Sequence, residues 1–288
     1  MNIDQFRERI KAVGLQPFED RIVSLSRPCV RLARCRVQQA ELAPLDSRLG
    51  GDPHLPVGFE WPFWSGVPLG HIATVRLSAA SKYDASGLLP RQGLLYFWYD
   101  LSEQPWGYRE SHAGSALVTY VADEDTPLTL QAMPMVRADE YADLDRIRET
   151  DRHPCKVEFE QGWTIPNGEW LRAYQAQDKK LVENEEFWTL HCDLTKPRKH
   201  YLLGHPQPEQ GPMENQVRCV TKDLEPWRNS PENSLKKDLE WQLLFQVGTD
   251  EDGPGWMWGD AGKLYYWIPR AALRAADFSK VWLILQCG

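Results

Sequence analysis

The chain has 288 residues, 42% of them hydrophobic and 26% charged, which is the balance of a folded globular protein, and no apolar run reaches the roughly 20 residues that cross a bilayer. Its 41 acidic against 33 basic residues give a net charge of −8, which argues against nucleic acid as a partner and favours basic proteins. The 13 tryptophans and 21 prolines point to short strands packed through large side chains and joined by fixed turns.

The first predicted element is a helix. Asn2 and Gln5 form a capping pair, Phe6, Ile10 and Val13 share one face, and Gly14 with Pro17 end it. No basic segment followed by an apolar one opens the chain, so the expected compartment is the cytoplasm. The six cysteines contain no C-x-x-C pair and are expected as reduced thiols. From Arg21 to Arg36 the residues Ile22, Val23, Leu25, Val30 and Leu32 predict a strand, with Pro28 placing it at an edge or a bulge.

Two later segments repeat one order of parts. The first runs from Leu49-Gly50-Gly51-Asp52-Pro53 through an apolar strand at His71–Leu77 and an aromatic strand behind Gly93 (Leu94-Leu95-Tyr96-Phe97-Trp98) to a closing strand at Ala116–Val121. The second runs from Leu203-Gly204-His205-Pro206 through Trp241–Val247 and an aromatic strand behind Gly262 (Lys263-Leu264-Tyr265-Tyr266-Trp267-Ile268) to Val281–Leu285. Glycine before each aromatic strand supplies the positive φ of a reversing chain, and the prolines preset turns. Between the copies, the charged stretch 137–199 reads as a connector, with helical spacing over Ala138–Glu149 and a second helix or a lid over Glu169–Leu190. Residues Pro206–Asn233 read as a long surface loop, and Pro269 opens a short helix through Ala276. The expected fold is therefore α+β: one domain over residues 1–288, mostly antiparallel sheet, built from two related halves at about 49–122 and 203–287.

Sequence motifs for chemistry are missing. There is no phosphate-cradling glycine loop, no G-x-S-x-G elbow and no H-E-x-x-H pair, so neither a catalytic residue, a metal site nor a cofactor is expected. The polar constellation that stands out is Asp250-Glu251-Asp252-Gly253 followed by Trp256-Met257-Trp258-Gly259-Asp260. It lacks the ligand spacing of a calcium loop. Large aromatics beside acids are what protein interfaces use to anchor a basic partner, which makes Asp250, Glu251, Asp252, Trp256, Trp258 and Asp260 the candidate partner-binding residues.

The run Leu49–Pro62 (Leu-Gly-Gly-Asp-Pro-His-Leu-Pro-Val-Gly-Phe-Glu-Trp-Pro) resembles the N-terminal signature of the YwqG-like family of bacterial proteins, and Trp256–Ile268 with Asp277–Cys287 resembles it more closely. The resemblance covers the chain from about Leu49 to its end and is weakest over Glu110–Lys199. It implies a cytoplasmic α+β fold with two related halves and no established catalytic residues. The resemblance also implies an association of some relatives with polymorphic toxin systems.

Acidic charge, abundant aromatics and the lack of a catalytic motif lead to a non-enzymatic, partner-binding protein. The expected form is an immunity protein that covers a basic toxin domain in a toxin–antitoxin setting, with neither nucleic acid nor membrane as partner. The alternative is an enzyme or small-molecule binder with a cleft between the halves, for which Asp260, Asp250 and His205 are the candidates.

Overall fold

The capping pair at the N-terminus forms as expected. In the computed structural model the Asn2 side chain accepts the backbone N–H of Gln5, and the Gln5 side chain accepts that of Asn2. This starts helix α1 (Ile3–Ala12), which buries Phe6 and Ile10. The structure describes residues 1–134, 153–195, 199–221 and 240–288.

The segment predicted as one strand from Arg21 divides. Its beginning is helix α2 (Glu19–Leu25), with Glu19 and Asp20 in the first turn where the helix dipole favours acids, Ile22 buried, and Arg21 bound to Asp178. The strand proper is β1 (Arg27–Arg36), and it lies in the middle of the sheet rather than at an edge. Pro28 fits there because the neighbouring strand on one side starts pairing only at Cys29, so its missing N–H faces no ladder partner on that side.

The remaining strands follow as β2 (Arg48–Leu49), β3 (His54–Pro56), β4 (Phe63–Trp64), β5 (Val67–Pro68), β6 (Gly70–Arg76), β7 (Leu94–Tyr99), β8 (Ala116–Val121), β9 (Leu128–Leu130), β10 (Cys155–Thr164), β11 (His200–Leu203), β12 (Trp241–Gly248), β13 (Lys263–Pro269) and β14 (Trp282–Gln286). The helices are α3 (Leu77–Ala80), α4 (Gly168–Tyr174), α5 (Lys179–Val182), α6 (Glu185–Thr195), α7 (Glu214–Thr221) and α8 (Arg270–Arg274). The fold is α+β. Ten strands form one antiparallel sheet in the order β14-β13-β12-β11-β1-β10-β2-β6-β7-β8. The strands of the two segments that read as repeats in the sequence lie at its opposite ends.

That sheet curls until its ends meet, and the aromatic strands show why. Along β7, Leu95, Phe97 and Tyr99 point into one core while Leu94, Tyr96 and Trp98 point into another; along β13, Leu264, Tyr266 and Ile268 alternate in the same way with Tyr265 and Trp267. A strand buried on both faces reads as a continuous apolar run, as these do. The inner faces join: Phe97 lies 4.7 Å from Phe245 and 5.2 Å from Tyr266 between ring centroids, and the Tyr266 hydroxyl donates to the Trp98 carbonyl at 3.2 Å. The outer faces are covered by α1, α2, α4, α5 and α6 near the centre, by α7 over β12–β14, and by the β3–β9 pair and its loops over β6–β7.

The structure also decides the readings of the middle of the chain. The supposed connector supplies β10, fully paired to β1; Cys155, Val157 and Phe159 turn inward while Lys156, Glu158 and Glu160 face out, an alternation masked by the charged partners. Of the two expectations for 169–190 the helical one holds: the stretch folds as helices whose Trp170, Leu171, Phe187 and Leu190 pack into a core, so it is not a lid. Part of the expected surface loop is α7, held down by Val217 and Cys219. The helix predicted over Ala138–Glu149 lies outside the described residues.

If the aromatic bridge holds the ends together, Phe97→Ala should cost about 3–5 kcal/mol in chemical denaturation. A loss below about 1 kcal/mol would mean that the ends are joined elsewhere.

Candidate functional site

The acidic, aromatic loop after β12 is pulled inward by groups on β1 and β11. Asp250 is buried, accepts from Arg34 Nη2 and Nε at 2.5 Å each, and meets His200 Nε2 at 3.0 Å. Burial works to raise its pKa, but the hydrogen bonds from His200 and Arg34 outweigh that and hold the carboxyl well below its usual range. His200 is pushed the other way: burial lowers its pKa more than Asp250 raises it, so the neutral ring donates through Nε2. Arg36 completes the clamp, donating to the carbonyls of Gly253 at 2.6 Å and Glu251 at 2.8 Å.

The tryptophans of this loop pack inward as well. Trp256 and Trp258 are buried 5.3 Å apart, Trp258 donates its Nε1–H to the Gly248 carbonyl at 3.2 Å, and its ring meets Tyr99 edge-on at 6.1 Å. What the loop offers to solvent is Glu251, Asp252, Met257 and Asp260. A partner meeting it would touch those side chains rather than Asp250, Trp256 or Trp258. The junction of the sheet's ends, where a cleft was the alternative expectation, is filled by Phe97, Phe245 and Tyr266. His205 sits past the far end of β11 from Asp250, buried with Nε2 against the Leu25 carbonyl at 2.8 Å.

Beside this loop lies an open groove of about 380 Å³ lined by Trp64, Glu103, Pro105, Trp106, Tyr108, Arg109 and His112. Its walls come from two elements. The β4–β5 hairpin turns through Ser65 and Gly66, both at positive φ as a two-residue hairpin loop requires, and the Trp64 indole is fixed by donating to the Ala113 carbonyl at 3.0 Å. The β7–β8 loop is anchored at its start by Asp100, whose buried carboxylate accepts from Ser102 Oγ and the Glu103 N–H at 2.9 and 3.0 Å. The loop then runs along the outer edge of β14. Leu285 N–H donates to the Trp106 carbonyl at 3.1 Å, Trp282 Nε1 donates to the Gly107 carbonyl at 2.8 Å, and the Tyr108 hydroxyl donates to the Leu285 carbonyl at 3.3 Å.

Gly107 has φ +77°, and a β-carbon there would sit 1.8 Å from the Leu283 carbonyl oxygen, so only glycine allows this approach. The contact covers a sheet edge and holds Trp106 and Tyr108 outward on fixed backbone. Trp106 is 40% and Tyr108 38% exposed, and Met257 at 41% lies beside them because Gln104 binds both the Met257 carbonyl and the Gly259 N–H. None of the groove residues is reached by the sequence motifs; the available signal is the run Trp106-Gly107-Tyr108, two aromatics about a glycine, in a polar interstrand loop.

A family model described as a domain of unknown function, DUF1963, matches residues 47–287. The chain belongs to this family. The match begins beside β2 and ends just past β14, so the DUF1963 domain includes both the groove and the acidic loop, while α1, α2 and β1 precede it. No curated protein matches the chain. Among the described residues, no helix is long and apolar enough to cross a membrane.

The structural role of Asp250 separates it from its neighbours. Asp250→Ala strands Arg34 and His200, and because Arg34 is partly open to solvent the cost should be about 2–3 kcal/mol, whereas Glu251→Gln and Asp260→Asn should leave the unfolding midpoint unchanged. Equal stability of all three variants would remove the clamp.

Acid should also unfold the domain in a defined window. Burial lowers the imidazole of His71 to about 3 and that of His191 to about 4, and lowers His200 and His205 too. Below pH about 6.5 the unfolded chain takes up protons that these folded rings refuse, so stability is full above that pH and falls beneath it, by about 1.4 kcal/mol per pH unit for each ring. Urea midpoints at pH 7 and pH 5 measure this, and identical values would contradict it.

Proposed function

We propose that this DUF1963 chain is a non-enzymatic partner-binding protein acting in the cytoplasm, and that its binding face is the groove of Trp64, Trp106 and Tyr108 together with the exposed part of the neighbouring acidic loop. The observation that carries this is the exposure of Trp106 and Tyr108 on backbone held rigid against β14. Exposed aromatics on a fixed frame lose little entropy on binding and are the side chains that dominate interface energetics. Glu103, Asp260, Glu251 and Asp252 add acidic charge around them, in keeping with the net charge of −8.

A basic toxin domain is the partner such a surface suits, and immunity against that toxin is the role we assign. Charge complementarity would speed capture, and the aromatics would slow release. The filled junction between the sheet's ends supports a surface function over a cleft enzyme.

The same reading takes the two ends of the sheet as related halves, grouped with the YwqG-like proteins, that form the frame. Each end carries two consecutive residues at positive φ before its turn, Gly50 and Gly51 in one and Leu203 and Gly204 in the other. Each also has a bulge facing its aromatic strand, between His71 and Ala73 and between Leu243 and Phe245.

Co-expression with a toxin encoded beside the gene tests the proposal. The intact chain should restore growth and co-purify with the toxin, and Trp106→Ala should weaken the complex about tenfold or more while the protein stays folded. Absence of both rescue and co-purification for the intact chain would eliminate the immunity role.

A further inference from the structure

The shape of the groove narrows the chemistry of what fits it, an inference that rests on the partner-binding reading above. The rings of Trp106 and Tyr108 lie 6.2 Å apart at an interplanar angle of 54°, so they are a tilted pair and form no flat platform. Pro105 and Trp64 extend the same wall. A linear sugar chain stacks on rings that lie flat beneath it, whereas extended proline-rich segments dock in grooves lined by tilted aromatic side chains. Of these side chains, the Trp64 indole and the Tyr108 hydroxyl are each held by a bond to a backbone carbonyl.

The polar lining points the same way. Among the described residues neither Glu103 nor Arg109 takes part in an ion pair, and both are exposed. His112 accepts the Gly107 N–H through Nδ1 at 2.9 Å, which leaves its other ring nitrogen as the donor. An extended proline-rich segment has a backbone without internal hydrogen bonds, so its carbonyls are free to accept from Arg109 and from the His112 N–H. Its conformation is already formed, so little order has to be imposed on docking. Glu103 supplies a counter-charge for a basic side chain flanking the prolines, and a carboxylate separate from a guanidinium gives the groove a direction.

We propose that the groove binds an extended, proline-containing segment of the partner protein, with a prolyl ring packed against Trp106 and Tyr108 and a flanking arginine or lysine on Glu103. The probe is a synthetic proline-rich peptide carrying one terminal arginine, titrated against the full chain by tryptophan fluorescence and by calorimetry. Binding should weaken about tenfold when the arginine is replaced by glutamate, and Glu103→Lys should reverse that preference. Trp106→Ala should abolish binding, with its unfolding midpoint showing that it remains folded, and Trp188→Ala, an exposed tryptophan on α6, should bind as the unaltered chain does.

If the peptide does not bind while an intact toxin is still captured through Trp106, the occupant proposed here is wrong and the partner-binding reading stands. Failure of both overturns both. Binding of a linear oligosaccharide in place of the peptide, lost in Trp106→Ala, would also overturn the peptide assignment. Peptide binding insensitive to Trp106→Ala and Glu103→Lys would place it elsewhere on the molecule and overturn the site.

Discussion

The contact among Phe97, Phe245 and Tyr266 makes one body of a sheet that would otherwise have two free ends. Phe97 comes from β7, whereas Phe245 and Tyr266 are ladder partners on the neighbouring strands β12 and β13, far from β7 in the sheet order, and Phe97 meets them only because the sheet curls. Once it has curled, the inner face is a dense core, and every bulky side chain on the opposite face needs a separate cover. The helices, the β3–β9 pair and the long interstrand loops are those covers.

Curling does not remove the edges. The backbone of β14 would still present unpaired groups, and the β7–β8 loop answers by lying along it, through an approach that only glycine at position 107 allows. Trp106 and Tyr108 flank that glycine and stay partly exposed beside β14, the Tyr108 hydroxyl turning back onto the Leu285 carbonyl. The proposed binding face is thus a by-product of edge protection, and its rigidity comes from the same hydrogen bonds.

A comparable division of labour shapes the acidic loop. Its charges form one cluster in the sequence, but Arg34 and Arg36 project from β1 beneath it and draw Asp250 and the loop backbone inward. A buried carboxylate needs such partners, whereas Glu251, Asp252 and Asp260 remain solvated at no cost. Trp256 and Trp258 likewise had two possible destinations, core or surface, and the space beside Tyr99 and His200 takes them into the core.

The sequence by itself determined the local devices: the capping pair at Asn2 and Gln5, the glycine-led aromatic strands, the Pro269 helix start, and hence an antiparallel α+β fold. Each depends on neighbours within a few residues, which is why it is legible. The charged alternation of β10 hid a central strand, because its partners in the ladder lie more than a hundred residues away in β1. The groove was illegible for the same reason. Trp64, Trp106 and Tyr108 become a surface only when a hairpin and a loop are brought together against β14, and the burial that separates Trp106 from Trp256 is set by packing that no local pattern encodes.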